Sequence, residues 1–376
     1  MTDQTNTPEL RFPEFNTDWT TNQAKNLFTN VSDKKHDGDL LVLSATQDKG
    51  MVPRQDLDLE IKYDKKNLSN YKRTLPNDFI ISLRSFQGGF ELNTIEGIVS
   101  PAYTVLRGEE ELVQPKFFKQ YFKSIRFIKK LDSMIYGIRD GKSISYKEFS
   151  TFSINYPSIL EQQKIGNFFS KLDHQIELEE EKLELLEQQK KGYMQKIFSK
   201  ELRFKDENGN DYPNWEIQKL GQIAMINTGK SKISNEIDGE FFNLGSTGII
   251  GKSNHFDYEG SFLLTARVGH YAGSLYTFKG KANITDNTIF MQTNLSLEFI
   301  KELLNNYNLK RLAFGSGQPL IKSSELKNLK FNIPCVDEIE KIGKLFNKLN
   351  ETIELHTSKI ELLKQRKKGL LQRMFV

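Results

Sequence analysis

The stretch KLELLEQQKKGYMQKIF (residues 182–198) returns, 177 positions later, as KIELLKQRKKGLLQRMF (residues 359–375). The likeness extends backwards, because residues 161–198 and 338–375 are identical at 20 of 38 positions at this offset. In both copies charged residues fill the positions between regularly spaced apolar ones. A duplication of this length predicts that the chain builds the same long helix twice.

Both copies carry apolar residues at alternating spacings of four and three, which is the heptad pattern of a coiled coil. The pattern predicts two helices of about 57 Å, each pairing antiparallel with the other. The alternative is that each helix packs on its own globular domain. The predicted seam consists of Ile165, Phe169, Leu172, Ile176, Leu183 and Leu186 in the first copy, and Ile342, Phe346, Leu349, Ile353, Ile360 and Leu363 in the second.

Polar residues also occupy positions of this seam. If a twofold axis crosses the pair midway between Glu179 and Lys190, Glu179 faces Lys367 and Lys190 faces His356. Polar seam residues can fix the register of a coiled coil at a cost in stability. We therefore expect these pairings to set the register of the two helices.

A second repeat lies upstream of each helix, where LRFPEFNTDW (residues 10–19) returns as LRFKDENGNDYPNW (residues 202–215). The order of leading motif, variable segment and long helix therefore occurs twice, which predicts a pseudo-twofold molecule. The predicted fold class is α+β, with two globular domains joined by the antiparallel coiled coil. We place the boundaries at 1–158 for the first domain, 159–200 for its helix, 201–334 for the second domain and 335–376 for its helix.

The two variable segments share an architecture but little sequence. Each contains a short apolar run that ends in arginine, then a glycine-containing turn, a β-branched strand and an amphipathic helix. The predicted strands are 78–84, 98–106, 261–267 and 283–291, and the predicted helices are 116–131 and 297–312. A constant frame with different tips is typical of a scaffold that presents two separately chosen binding surfaces.

Composition excludes some classes of protein. No stretch approaches the ~20 apolar residues of a membrane span, and the start lacks the basic and apolar regions of a signal peptide. The single cysteine, Cys335, allows no internal disulfide and favours the cytoplasm. The net charge of +4 permits a nucleic-acid partner without requiring one.

Motifs of catalysis are missing from the sequence. There is no glycine-rich phosphate loop with a following lysine and no Asn/Asp-Pro-Pro-aromatic tetrapeptide of amino-methyltransferases. None of the five histidines has metal-ligand spacing. We therefore predict a binding protein without catalytic residues or a metal site.

Residues suited to contact DNA occur in both variable segments, which carry net charges of +4 (residues 20–158) and +3 (residues 216–334). Arg84 and Arg267 follow apolar strands at turns, where a guanidinium can reach a DNA groove; for Arg84 the alternative is a salt-bridged surface arginine. Neighbouring polar side chains are of the types that read base edges. The predicted DNA-contacting residues are Arg84, Ser85, Gln87, Lys72 and Arg73 in the first segment, and Arg267, His270, Tyr271, Lys252 and Lys230 in the second.

These motifs resemble those of a known family. The helix starts EQQKIGNFFSKLD (161–173) and EIEKIGKLFNKLN (338–350), the helix ends quoted above and the LRF…W motifs are similar to those of DNA-specificity (S) subunits of type I restriction–modification systems. The resemblance covers essentially the whole chain. It implies two target-recognition domains and an antiparallel coiled coil.

By this resemblance, each domain reads one half of a split double-stranded DNA sequence, and the helices set the spacer and dock two modification (methyltransferase) subunits. Restriction (nuclease and translocase) subunits would complete the complex. S-adenosylmethionine, ATP and Mg²⁺ would be used by those partners, so this chain is expected to bind no cofactor and to catalyse nothing itself.

Two other classes stay open at this point. A coiled-coil scaffold that binds only proteins, or an inactive relative, would share the helices without reading DNA. A stand-alone DNA-modifying enzyme would need a cofactor or metal site that the sequence does not show. The bases that each domain recognises depend on the conformations of its loops.

Overall fold

A computed structural model of the chain describes residues 6–46, 50–57, 65–82, 89–134, 144–233, 236, 238–313 and 320–376. Its contacts divide the chain into two compact units. Unit 1 comprises residues 1–179 and 359–376, and unit 2 comprises residues 180–358. Each unit therefore contains one globular part and a piece of both long helices, and the four-segment boundaries drawn from the sequence stay a prediction.

Helices and sheets are mixed in both units, as the sequence predicts. The α-helices of the described chain are α1 (Pro115–Tyr121), α2 (Ile125–Met134), α3 (Tyr146–Ser150), α4 (Ile159–Phe198), α5 (Leu220–Ile223), α6 (Leu297–Tyr307), α7 (Ser323–Asn328) and α8 (Val336–Arg373). The long helices α4 and α8 have 40 and 38 residues, which confirms the duplicated helix. No helix in the described ranges has the length and apolar content that a bilayer crossing needs.

In its described residues, unit 1 holds four small antiparallel sheets. Its strands are β1 (Thr20–Gln23), β2 (Phe28–Val31), β3 (Leu43–Thr46), β4 (Gly50–Pro53), β5 (Lys72–Thr74), β6 (Phe79–Ile81), β7 (Phe90–Leu92), β8 (Gly97–Val99), β9 (Thr104–Gly108) and β10 (Ser153–Tyr156). The largest sheet has the order β2-β9-β6-β7, and the pairs are β1-β10, β3-β4 and β5-β8.

Unit 2 is dominated by one sheet of six strands. The strands of unit 2, eight in the described residues, are β11 (Glu216–Lys219), β12 (Met225–Thr228), β13 (Phe241–Gly245), β14 (Gly248–Ser253), β15 (Tyr258–Ala266), β16 (Leu275–Ile284), β17 (Thr288–Gln292) and β18 (Lys330–Ile333). The sheet order is β12-β17-β15-β16-β13-β14, in which β13 runs parallel to β16. The pair β11-β18 stands apart from this sheet and matches β1-β10 of unit 1 in its position before a long helix.

Three predicted elements are each split in the structure, one in unit 2 and two in unit 1. In unit 2, the predicted strand 283–291 is the end of β16 and the start of β17, with a turn between them. The predicted strand 98–106 is the end of β8 and the start of β9, because Pro101 and its neighbours form a turn between them. The predicted helix 116–131 is α1 followed by α2. Ser124 Oγ accepts a hydrogen bond from the Phe127 backbone N–H at 3.3 Å, and this bond caps the start of α2.

The start of each long helix is buried against its own globular domain. Ile165 and Phe169 belong to the same core as Phe117 of α1, and Ile342 and Phe346 belong to the core that includes the equivalent residues of α6. The alternative of packing on the domain is therefore correct for the first turns of both helices.

The glycine of the repeated KIG sequence makes this close packing possible. A Cβ on Gly166 would lie 2.8 Å from the backbone N of Phe117. A Cβ on Gly343 would overlap the Ser296 side chain, the N-cap of α6. In each unit the long helix thus meets the start of a domain helix at a position where only glycine fits.

Within unit 1, α8 also runs antiparallel to α4, as predicted. The rings of Phe169 and Phe375 have centroids 5.9 Å apart, and further along α4 Glu179 Oε1 lies 2.5 Å from Lys359 Nζ. Residue numbers along α8 therefore decrease in the direction in which those along α4 increase, so the two helices are antiparallel. The apolar contact between the two helices is made by Leu172, Ile176 and Leu363.

In unit 2 the end of α4 packs against the start of α8. The Phe198 and Phe346 rings are stacked with centroids 6.3 Å apart. Leu349 is buried in the same core. Of the remaining seam residues, Ile360 is buried in unit 1, and Leu183, Leu186 and Ile353 are only partly buried.

The polar seam residues have partners other than those expected. Glu179 bonds to Lys359 in unit 1, whereas Lys367 Nζ lies 2.6 Å from Asp173 Oδ1. Lys190 Nζ bonds to Glu302 Oε1 of α6 at 2.8 Å. The expectation assumed that the two helices contact only each other. Instead, Lys367 pairs with Asp173, six positions before Glu179 on α4, and Lys190 pairs with Glu302 on the domain helix.

Candidate nucleic-acid interface

Three connections of the six-stranded sheet converge on one backbone carbonyl in unit 2. The Arg267 N–H donates to the Asn287 carbonyl oxygen at 2.9 Å, and Ser246 Oγ donates to the same oxygen at 3.0 Å. Ser246 lies in the β13–β14 turn, Arg267 begins the β15–β16 connection, and Asn287 lies in the β16–β17 turn. We call residues 246–247, 267–274 and 285–287 the loop cluster.

Further backbone bonds fix the loop cluster to the rest of unit 2. The Thr285 N–H donates to the Leu244 carbonyl at 3.1 Å, and the Ile321 N–H donates to the Arg267 carbonyl at 2.8 Å. Main-chain bonds do not depend on side-chain identity. The cluster is therefore a surface whose side chains can vary on a fixed frame.

The β15–β16 connection turns sharply at two glycines. Gly269 and Gly273 have φ values of +81° and +85°, which glycine adopts without steric cost. A Cβ on Gly273 would also lie 2.8 Å from the backbone N of Lys310. The turn directs His270 and Tyr271 outwards, and both are exposed.

Arg267, His270 and Tyr271, three residues singled out in the sequence, thus lie in one connection. The His270 and Tyr271 rings meet edge to face with centroids 5.2 Å apart. Among the described residues, Arg267 Nε is buried and has no hydrogen-bond partner.

Beside the loop cluster lies a cavity of about 320 Å³. Its walls combine hydroxyl groups with aromatic and aliphatic surface, which suits contact with base edges and sugars. The Tyr276 hydroxyl donates to the Gly245 carbonyl at 2.5 Å and so helps to hold the β13–β14 turn. The lining residues are Ser246, Thr247, Tyr271, Ser274, Leu275 and Tyr276.

The two predicted lysines of unit 2 lie outside the loop cluster. Lys252 is exposed on the edge strand β14, with its Nζ 5.3 Å from the centre of the Phe242 ring. Lys230 is exposed, and its backbone N–H donates to the Tyr258 hydroxyl at 3.1 Å. Both residues are exposed, and their positive charge suits phosphate contact.

The DNA-contacting residues predicted in unit 1 do not form a comparable exposed group in the described residues. Arg84, Ser85 and Gln87 lie outside the described residues. Lys72 Nζ donates to the Tyr103 carbonyl at 2.6 Å, and burial lowers the pKa of Lys72. Arg73 forms an ion pair with Glu96 at 2.5 Å. Lys72 and Arg73 are therefore engaged within the protein.

Sequence reasoning missed Ser246, Thr247 and Asn287. They carry no charge and lie more than 19 positions from Arg267, so spacing alone does not connect them. The available signal was turn composition, since Gly-Ser-Thr-Gly (245–248) and Thr-Asp-Asn (285–287) are both typical turn sequences.

A sequence model described as the type I restriction modification DNA specificity domain matches residues 17–188 and again residues 212–365. The chain belongs to this family. The two matches of the specificity-domain family cover the duplicated halves in turn, and the second includes the whole loop cluster.

Comparison with individual proteins gives the same result as the family model. The type I restriction enzyme MjaVIII specificity subunit of Methanocaldococcus jannaschii is 25% identical over 264 residues, 61% of this chain. The match spans 62% of the length of that relative. The crystal structure of the type I restriction–modification S subunit from M. genitalium superposes with a TM-score of 0.71 at 16% identity, covering 98% of this chain and 99% of that one. This similarity shows a shared fold.

Proposed function

We propose that this chain is the DNA-recognition subunit of a type I restriction–modification complex, in which each globular domain reads one half of a bipartite site. The observation that carries the proposal is the double match to the specificity-domain family, one match in each half of the chain. The loop cluster adds a surface in unit 2 with exposed His270 and Tyr271 beside Arg267. The long helices would set the spacer between the half-sites.

The experiment is a methylome. The chain is co-expressed with the modification subunit from its own operon, and modified bases are mapped genome-wide. The proposal expects a split motif with an unread spacer. Arg267→Ala should reduce methylation through one half of that motif only. Lys330→Ala removes a positive charge from β18, away from the loop cluster, and serves as the control. Equal methylation with both variants would remove Arg267 from the reading surface.

We infer that the long helices also dock the modification subunits, and a repeated outward-facing pattern supports this. Leu178 and Leu185 of α4 are 50% and 64% exposed. Leu355 and Leu362 of α8, at the same offset of 177, are 66% and 65% exposed. Leucines seven positions apart lie on one helix face. Their occurrence in both copies suits two identical partners.

Substitution of these leucines tests the docking. Leu355→Glu and Leu362→Glu should lower the co-purifying modification subunit from two copies to one, because the leucines of α4 remain. The melting temperature should stay constant, since exposed leucines contribute little to folding. Glu361→Lys, an exposed residue next to Leu362, is the matched control. Unchanged co-purification with both leucine variants would place the docking surface elsewhere.

The chemistry of the complex is proposed to lie on the partners. S-adenosylmethionine would bind the modification subunits, and ATP and Mg²⁺ would serve the restriction subunits, so that this chain contributes recognition without catalysis. A cytoplasmic location follows from that role and remains a prediction.

A protein-only scaffold is the competing interpretation. DNA affinity that falls steeply between low and high salt supports recognition, since release of counterions from phosphates causes such a slope. Binding to the modification subunit without any DNA binding would support the scaffold.

A further inference from the structure

Each unit contains a polar contact among one domain helix and both long helices. In unit 1, Lys367 Nζ of α8 lies 2.6 Å from Asp173 Oδ1 of α4. Gln120 Nε2 of α1 donates to Asp173 Oδ2 at 3.0 Å. Gln120 is buried, at 2% exposure. The group therefore consists of one mostly buried lysine, one acid and one amide, with the acid on a long helix. The half-exposed Lys119 of α1 lies at its edge, with Nζ 4.0 Å from Asp173 Oδ2.

The contact in unit 2 has the same three kinds of side chain. Lys190 Nζ of α4 lies 2.8 Å from Glu302 Oε1 of α6. Asn350 Nδ2 of α8 donates to Glu302 Oε1 at 3.1 Å. Glu302 is fully buried. Here the acid lies on the domain helix and the amide lies on a long helix.

The two groups are related by the duplication. Lys190 matches Lys367 and Asp173 matches Asn350, both at the offset of 177. The domain helices correspond through their N-caps. Gln114 accepts from the Phe117 N–H and Ser296 accepts from the Phe299 N–H.

Counted from these N-caps, Gln120 and Glu302 occupy the same position, six residues further on. The lysine is thus constant between the halves. The acid and the amide have exchanged places between the domain helix and the long helix.

Electrostatics explains why the two changes occur together. A lysine of which about three-quarters is buried needs a partner of opposite charge. A glutamine at the domain position with an asparagine on the long helix would leave the lysine with no carboxylate. An acid at both positions would hold two like charges within hydrogen-bond distance of each other, which is also unfavourable.

We propose that this acid–amide pair decides which recognition domain can be seated on which long helix. A helix with aspartate at position 173 accepts a domain with an amide at position 120. A helix with asparagine at position 350 accepts a domain with an acid at position 302. Each domain and the first turns of the helix that follows it form a matched unit, and the lysine of the other helix fits either unit.

This matching predicts where the junction must lie when domains are exchanged between specificity subunits. Replacing residues 20–158 by a second copy of residues 216–334 brings the copied Glu302 against Asp173. Replacing residues 20–173 by residues 216–350 carries the matching asparagine along. The second exchange conserves the charge balance, although both exchange the entire variable segment.

Point variants of the full chain give the first test. Asp173→Asn leaves Lys367 without its acid and should lower the melting temperature by about 3–6 °C. Adding Gln120→Glu to Asp173→Asn copies the arrangement of unit 2 and should restore most of that loss. Unit 1 is the better site for this test, because Asn350 in unit 2 also bonds to Glu298, whereas the residue at the place of Glu298 is Lys116.

The control is Glu187→Gln, which removes an exposed acid from α4 and should change the melting temperature by less than about 1 °C. If the losses from Asp173→Asn and Gln120→Glu simply add in the double variant, the two residues are not coupled and the proposal is overturned. This readout is thermal stability, so it is independent of DNA recognition.

The exchange itself gives the second test. The chain with residues 216–334 in place of 20–158 should melt at a lower temperature than the same chain with Asp173→Asn added. Asp173→Asn would then stabilise the chimera while it destabilises the original protein. A reversal of sign between the two backgrounds supports the matching rule, and the same sign in both contradicts it.

Discussion

Arg11 Nη2 lies 2.7 Å from Glu161 Oε2, and the carboxylate is completely buried. The pair ties the leading motif to the first turn of α4, across 150 positions of sequence. Unit 2 repeats it, with Arg203 Nη2 2.7 Å from the buried Glu338. The hydrogen bond to the glutamate raises the pKa of each arginine. The LRF motif is thus the clamp that closes each domain on its long helix.

Loss of this clamp should be costly. Arg11→Ala leaves Glu161 as an unpaired buried charge and should reduce the free energy of unfolding by about 2–4 kcal/mol. Urea titration at neutral pH measures it. Arg373→Ala is the matched control, because its pair with Glu9 is more than half exposed and should contribute less than about 1 kcal/mol. Equal effects from the two variants would contradict a buried clamp.

Substitution of the two repeated glycines of α4 by alanine should change stability in opposite directions. Gly166→Ala places a Cβ 2.8 Å from the Phe117 backbone and should destabilise unit 1 by about 1–3 kcal/mol. A Cβ on Gly192 meets nothing within 4 Å, so Gly192→Ala should stabilise α4 by about 0.5–1 kcal/mol. Thermal unfolding of both variants checks the sign. A stabilising Gly166→Ala would mean that α1 and α4 are further apart than described.

Acid should weaken the contact at Glu302. Burial alone would raise the pKa of Glu302, but hydrogen bonds from Lys190 and Asn350 and the charge of Lys190 outweigh it, and the pKa is lowered. A lowered folded pKa contributes stability that is present above the unfolded value of about 4.3 and is lost as the pH falls below it.

Glu302→Gln should therefore be less stable than the parent at pH 7 and should lose less stability on going to pH 3. Urea unfolding followed by Trp215 fluorescence in a Trp19→Phe background reports on unit 2, since the chain has only these two tryptophans. If the free energy of unfolding falls by the same amount in the parent and in the variant between pH 7 and pH 3, Glu302 is not the source of the acid sensitivity.

Displacement of the loop cluster should weaken DNA binding. Gly273→Ala introduces a Cβ 2.8 Å from the Lys310 backbone in addition to an unfavourable φ, whereas Gly269→Ala has the unfavourable φ in open space. We expect Gly273→Ala to reduce affinity for the recognised DNA at least tenfold and Gly269→Ala to reduce it less. Fluorescence anisotropy of the assembled complex at fixed salt measures both. A larger loss with Gly269→Ala would indicate that the connection moves as a whole.

The sequence predicts the long helices well, because their signal is local and repeated. The observed α4 and α8 begin two residues before the aligned repeat. The buried starts of the seam were harder to assign, since an apolar residue such as Phe169 has the same spacing whether it faces a helix or a domain. The KIG glycines give no periodic signal, and only the structure shows what Gly166 and Gly343 approach.

Polar partners were the least predictable feature. Glu161 and Arg11 are separated by 150 positions, and no local rule connects them. Lys190 occupies a seam position in the sequence, yet the carboxylate that pairs with it belongs to Glu302 of α6. At the candidate interface, the position of Arg267 at a strand end was visible in the sequence, but its neighbours Ser246 and Asn287 come from two other turns of the sheet.

The shared carbonyl of Asn287 has a consequence for how recognition can evolve. Arg267 and Ser246 bond to the main chain at this residue, while its side chain is exposed to solvent. Almost any residue can replace Asn287 and still offer the same carbonyl. A lineage can therefore change the chemistry displayed at this position in a single mutational step, without passing through a misfolded ancestor.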